Sequence, residues 1–288
     1  MKNKLPSWFK QEIPDAAVRG RIQMFSEFNV NTVCSLAKCP NLSACFKDLK
    51  FTFMILGDTC TRGCRFCGIN KKEKEPLPLD ENEPDRLSQI ARVLKLKFIV
   101  ITSVTRDDLV DGGAAQFVRS IKLLHGISKD IKIEALVPDF SGSGAAIKAV
   151  VEAGPSIFAH NIETVKRLYG RLRPGADYDR SLGVLSKARE VSPSLVTKSS
   201  LILGMGETED EVIYAMQDLR QSGCDILTLG QYLAPSEKHF PVEEFIGIEQ
   251  FENYRRTGKQ LGFKAVLSGP KVRSSYKAEE VFNELNYL

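Results

Sequence analysis

From residue 51 onward the chain alternates short, β-rich apolar runs with helical patterns, which points to repeated βα units on a parallel sheet. Strands are expected over 51–56, 97–102, 131–136, 156–159, 196–203 and 226–229, each followed by a helical stretch. The clearest helix has Thr208 as N-cap and Glu211 three residues on, a capping box, then Val212, Ala215, Met216 and Leu219 on one face before Gly223. Eight such units close a barrel of about 250 residues. Six therefore predict an α/β fold of the partial (β/α)6 TIM-like kind, with a lateral opening that admits a large substrate.

Residues 1–48 do not fit the repeat and residues 269–288 stand outside it. The expected organisation is an N-terminal segment over 1–48, a partial barrel over 49–268 and a C-terminal segment over 269–288. The charged, proline-punctuated run 71–78 reads as a surface loop. With 43% hydrophobic and 26% charged residues in 288, the composition is globular. No apolar run approaches the ~18 residues a membrane span needs. The first ten residues are basic without a following apolar stretch, which argues against a secretory signal and makes the cytoplasm the expected location. A formal charge of +4, spread along the chain, gives no support to a nucleic-acid partner and suits an acidic protein partner.

Polar motifs follow each expected strand: a cysteine cluster after the first, Thr102 to Asp108 after the second, Pro138-Asp139-Phe140 after the third, His160 to Glu163 after the fourth, Gly204 to Glu207 after the fifth, and Gln231-Tyr232 after the sixth. In parallel barrels the C-terminal strand ends form the active-site rim, so these motifs are expected to converge there.

Six of the seven cysteines fall in two tight groups, a poor arrangement for a disulfide framework. Cys60, Cys64 and Cys67 are spaced Cys-x3-Cys-x2-Cys and have no fourth cysteine or nearby histidine to complete a structural zinc site. A cubane iron-sulfur cluster held here keeps one iron free of protein ligand, open to a substrate or cofactor. Cys34, Cys39 and Cys45 form a second triad, for which zinc with a histidine from elsewhere is a fair competitor. Arg273-Ser274-Ser275-Tyr276, read alone, is a hydrogen-bonded turn. Cys224, after Gly223 and before an apolar strand, reads as a buried structural cysteine.

The Cys60 triad, with Phe66 before its last cysteine, resembles the signature of the radical S-adenosylmethionine (SAM) enzymes. Together with the Cys34 triad and the Arg273–Tyr276 motif, it resembles the lipoyl synthase family, and the likeness continues through 102–109, 160–164, 176–182, 204–208 and 230–235. The resemblance implies two 4Fe-4S clusters and SAM as cofactors. The Cys60-triad cluster and SAM would generate a deoxyadenosyl radical that removes hydrogen from C6 and C8 of an octanoyl chain, one SAM for each. That chain would be amide-linked to lysine on a lipoyl-carrier protein, of the H-protein or E2-domain type. Sulfur would come from an auxiliary cluster on Cys34, Cys39 and Cys45, with Ser275 as its oxygen ligand; the sequence leaves Ser274 as the alternative. Reduced ferredoxin or a flavodoxin-like protein would supply electrons.

The resemblance also makes Thr102, Ser103, Asn161, Glu163, Gly204 and Tyr232 the expected SAM contacts. Asn161 and Glu163 suit hydroxyl and ammonium partners, and Gly204 would let backbone approach adenine. Arg171 and Arg173 fit either a carboxylate-holding pair or a solvated basic face. The competing readings are another auxiliary-cluster sulfurtransferase, biotin-synthase-like or methylthiolating, and a non-catalytic iron-sulfur carrier or redox sensor.

Overall fold

A computed structural model of the chain describes residues 6, 9, 12–69 and 75–285. The strands are β1 (Asn31–Thr32), β2 (Thr52–Ile55), β3 (Phe98–Ser103), β4 (Lys132–Leu136), β5 (Ile157–Ala159), β6 (Val196–Leu203), β7 (Ile226–Gln231) and β8 (Ala265–Gly269). They form one sheet in sequential order, parallel from β2 to β8, with β1 antiparallel on β2. β1 and β8 remain its two edges, so the sheet is an open α/β barrel.

The six expected strands correspond to β2 through β7. β8 adds a seventh parallel strand that the apolar pattern does not announce. Its run Ala-Val-Leu-Ser-Gly is short and only Val266 is buried, because an edge strand has a wet side. The helix Glu209–Gln221 carries the anticipated capping box and buries Val212, Ala215, Met216 and Leu219. Each large aliphatic side chain so buried contributes about 1.5–3 kcal/mol. Within the expected loop 71–78, residues 71–74 lie outside those described, as do residues 1–5, 7, 8 and 10 of the expected signal-free start; residues 75–78 carry no regular structure. Among the described residues no helix is long and apolar enough to cross a membrane.

The barrel interior contains a buried ion pair. Lys198 on β6 donates to both carboxylate oxygens of Glu134 on β4, at 3.0 and 2.7 Å, across the intervening β5. Outside the sheet, the N-terminal segment is anchored by aromatic edge-to-face packing. Phe25 and Phe46 meet Phe51 at 4.9 and 4.8 Å, and Phe25 meets Phe53 at 5.7 Å.

The C-terminal segment descends through the barrel. After β8, the Val272 carbonyl lies 2.0 Å from where a Cβ would sit on Gly230, so only glycine lets the chain cross β7 there. Farther on, Ser274 reaches Asn161 and Ser275 reaches Thr52, the first residue of β2. The helix Ala278–Leu285 then packs at the opposite end of the barrel, where Val281 and Phe282 join Phe98, Ile157, Val196, Ile226 and Ala265 at strand starts. Asn41 donates to the Lys271 carbonyl at 2.6 Å, and Lys50 pairs with Glu280. The segment before β2 is thus joined to the segment after β8 as well as to the sheet.

Candidate active site in the barrel

A cavity of about 1110 Å³ occupies the barrel, and its wall includes Cys34, Cys39, Cys60, Cys64, Cys67, Ser274 and Ser275. Cys45 is not part of that wall. It sits behind on the helix Leu42–Lys47, close enough to Cys39 for their charges to interact.

The loop bearing Cys60, Cys64 and Cys67 begins at a left-handed turn, with φ of 69° at Leu56 and 82° at Gly57. Leucine rarely adopts that conformation. Here the buried Glu83 carboxylate holds it, accepting the N–H of Leu56 at 2.6 Å and of Gly57 at 3.3 Å. Inside the loop, Arg62 donates two hydrogen bonds to Asp107, both 2.8 Å, and two to Asp139, 2.8 and 2.7 Å. Burial alone would raise the Asp139 pKa, but the hydrogen bonds and charge of Arg62 hold it well below the usual carboxylate range. The loop is also tied by Arg65 N–H to the Leu172 carbonyl, 2.8 Å, and by Phe240 N–H to the Arg65 carbonyl, 2.9 Å. Arg62 lies within the cysteine motif, yet spacing alone gave no sign that two distant aspartates clamp it.

The three thiols are near enough to repel one another as thiolates. Burial pushes Cys67 up to about 12; it also raises Cys64, against which the Arg173 guanidinium pulls back. In the second triad, backbone turns bring the cysteines together: Cys39 N–H donates to the Cys34 carbonyl at 3.0 Å, and Cys45 N–H to Asn41 at 2.9 Å. Burial and then the neighbouring Cys39 push Cys34 up to about 12 and Cys45 to about 11. The Arg273 cation lies beside Cys39. Thr52 lies near enough to Cys34 to act against the rise of its thiol pKa, and its hydroxyl oxygen is 2.6 Å from Ser275 Oγ. Ser274 instead donates to Asn161 Oδ1 at 2.9 Å.

The other expected contacts divide. Thr102, Ser103, Asn161, Glu163 and Tyr232 line the cavity. Thr102 spends its hydroxyl on the Leu136 carbonyl, 2.9 Å, and Tyr232 donates to the Phe240 carbonyl, 2.7 Å. Gly204 is not in the wall; with φ of 102° it packs where a Cβ would strike Gln231 Nε2 and the Glu244 carbonyl, both at 2.3 Å. Glu163 has φ of 64°, pinned by its N–H to Ser200 at 2.9 Å and its carbonyl to Ile202 at 2.9 Å. Burial raises its pKa, while Arg173 and the Asn161 amide favour the carboxylate.

His160 Nδ1 lies 2.8 Å from the Val137 carbonyl, so that nitrogen carries the proton and Nε2 is left as an acceptor. Burial, reinforced by Arg173, lowers its pKa to about 4 and keeps the ring neutral. Arg173 donates to the carbonyls of Asn161 and Ile162, at 3.2 and 3.0 Å, and to Tyr169, 2.7 Å, and is a cavity residue; Arg171 stacks on the Phe240 ring at 4.6 Å. Cys224 is buried with its thiol 3.2 Å from the Ile226 carbonyl, a structural cysteine as its context implies.

The donor set fits an iron-sulfur cluster and a polar cofactor. Ser103 Oγ, His160 Nε2 and Arg173 Nε are buried cavity atoms that find no hydrogen-bond partner among the described residues. Such atoms are costly unless a polar group meets them. A molecule with hydroxyl, ammonium and carboxylate groups, as SAM has, can meet all three.

Residues 54–219 match the Radical SAM superfamily. Over 282 residues the chain is 50% identical to a lipoyl synthase of Caldanaerobacter subterraneus subsp. tengcongensis, covering 97% of each. The chain belongs to the lipoyl synthase family. A lipoyl synthase of Geobacter sulfurreducens is 48% identical over 276 residues, 96% of this chain and 90% of that one. Among solved structures, methylornithine synthase aligns with a TM-score of 0.57 at 15% identity, over 82% of this chain and 81% of the other. SuiB of Streptococcus suis bound to S-adenosylmethionine aligns at 0.59 and 10% identity, over 83% and 55%. These two share the fold. As a lipoyl synthase the chain is a radical SAM sulfurtransferase that uses two 4Fe-4S clusters and SAM, and its substrate is carried on a lipoyl-carrier protein.

Proposed function

We propose that this lipoyl synthase divides its chemistry between two walls of one cavity, with Cys60, Cys64 and Cys67 holding the SAM-binding cluster and Cys34, Cys39, Cys45 and Ser275 holding the auxiliary one. The observation that carries this reading is that five of the six triad cysteines and Ser275 line a single cavity. When bound, the first cluster with SAM supplies hydrogen abstraction from the unactivated C6 and C8 of an octanoyl chain, and the second supplies the sulfur. A side-chain base could not deprotonate such carbons, which is why residues here hold and orient.

Asn161 and Glu163 would bind the hydroxyl and ammonium groups of SAM, Ser103 and Arg173 its carboxylate, and His160 Nε2 a further donor. Tyr232 would lie alongside with its hydroxyl already engaged. For the oxygen ligand, Ser275 is favoured over Ser274 by the separation of their partners: Ser275 is at Thr52, which neighbours Cys34, whereas Ser274 is at Asn161. Oxygen is a harder ligand than thiolate for iron and leaves more readily. Gly204 would act by shaping the loop under Gln231 rather than by touching adenine.

A boundary at 48/49 would fall just after the helix Leu42–Lys47, whereas one at 268/269 would fall inside β8, so the C-terminal segment would begin after Gly269; the two end segments are joined through Asn41 and Lys271. The carrier would be an H protein or an E2 lipoyl domain, the electron donor a reduced ferredoxin or flavodoxin, and the compartment the cytoplasm. The deciding experiment is mass analysis of an octanoylated carrier peptide after anaerobic reaction with SAM and a reductant. Two sulfur atoms on the octanoyl chain, with deoxyadenosine released, are expected. Variants lacking Cys34, Cys39 and Cys45 should still release deoxyadenosine and add no sulfur; lipoyl product from them would defeat the division.

A further inference from the structure

The neighbouring serines of the Arg273–Tyr276 turn serve different walls, and only one of them is claimed by the auxiliary triad. We propose that Ser274 is a positioning residue that fixes the side-chain amide of Asn161 for SAM. Its hydroxyl donates to Asn161 Oδ1 at 2.9 Å, and Asn161 Nδ2 donates in turn to Glu163 Oε1 at 3.0 Å. An amide whose oxygen faces a hydroxyl donor and whose nitrogen faces a carboxylate has one satisfied orientation. Turned over, it sets its oxygen against Glu163 and loses that bond.

The consequence reaches Glu163 because its carboxylate lines the cavity on a left-handed backbone position. With φ of 64° and both backbone groups fixed to β6, the Glu163 backbone cannot shift to follow a displaced amide. Glu163, which can only accept, sets the orientation of the Asn161 amide, and Ser274 anchors that amide from its oxygen side so that it stays at the cavity wall. Ser274 needs only to be held in place, and its segment is: Gly230 admits Val272 beneath it, and Ser275 meets Thr52 beside it.

The inference rests on the reading of Asn161 and Glu163 as SAM contacts, and its test separates the two. Ser274→Ala, Ser274→Thr, Asn161→Ala and the Ser274→Ala/Asn161→Ala double variant are reconstituted anaerobically. Iron is counted in each, and the SAM dissociation constant is measured by equilibrium dialysis. Ser274→Ala should weaken SAM binding about 5–10-fold with iron unchanged, the scale of one hydrogen bond to a buried polar group. Ser274→Thr should restore binding to within about twofold, and Ser274→Ala should add under about twofold to Asn161→Ala, since coupled residues are not additive. Unchanged affinity in Ser274→Ala beside weakened affinity in Asn161→Ala overturns the role of Ser274 alone, as does full additivity. Unchanged affinity in Asn161→Ala overturns the reading beneath it and the inference with it. Iron lost from Ser274→Ala would mark this serine as a cluster ligand and overturn the inference as well.

Discussion

The hydroxyls of Thr52 and Ser275 stand 2.6 Å apart across 223 residues of sequence. That contact joins the first residue of β2 to the C-terminal segment, and Thr52 also neighbours Cys34. One threonine therefore links the cysteine triad to the serine proposed to complete it. Thr52→Val should keep the shape and remove the link, lowering stability by about 1–3 kcal/mol in the metal-free protein. Thr52→Ser should recover most of it. Denaturant unfolding reads the difference; equal stability of Thr52→Val and the parent would show the contact to be incidental.

Two triads on one cavity should hold two cubanes, about eight irons per chain after anaerobic reconstitution. Replacing Cys60, Cys64 and Cys67 by alanine should leave about half that iron and abolish deoxyadenosine formation. Iron and sulfide analysis checks the first, chromatography of the quenched reaction the second. Full iron retention in the triple variant contradicts two separate clusters.

Exchange of Ser275 tests the oxygen ligand. Ser275→Cys should retain the auxiliary cluster and slow or stop sulfur insertion, because thiolate releases iron less readily than alkoxide. Ser275→Ala should lose iron from that cluster. A Ser275→Cys protein with the parent's lipoyl yield would rule out a labile oxygen as the working feature.

Acid should loosen the Cys60 loop through Asp139. Its folded pKa lies below its ordinary value of 3.8, so its stabilisation is present above that value and is lost as pH falls through the acid range toward the folded pKa. Asp139→Asn should remove this part of the acid dependence and destabilise by roughly 2–4 kcal/mol at neutral pH, since buried Arg62 keeps only Asp107. Unfolding free energies of both proteins between about pH 3 and 7 test the sign. An identical slope in the two would contradict it.

Gly230→Ala should dislodge the C-terminal segment, because its Cβ would lie 2.0 Å from the Val272 carbonyl. A backbone clash cannot be relieved by a rotamer change and costs about 1–3 kcal/mol. Auxiliary iron should fall with it. Retained auxiliary iron would mean that the segment tolerates the shift.

Features that depend on near neighbours were legible in the order of residues. Alternation of apolar runs placed β2 to β7, the Thr208–Glu211 pair placed a helix start, and the spacing of each cysteine triad gathered thiols within a few residues of one another. Such features follow from backbone period and short-range hydrogen bonding. β8 escaped because an edge strand needs little apolar surface, and Gly204 was expected at a ligand because a glycine's role depends on what packs above it. Tertiary structure alone decided that Ser275 goes to Thr52 and Ser274 to Asn161, and that Arg62 is clamped by Asp107 and Asp139. These partners are 45 to 223 residues apart. Their pairing is set by how the sheet curls and where the chain end descends through it, and adjacent serines with the same chemistry are separated only by the direction each faces.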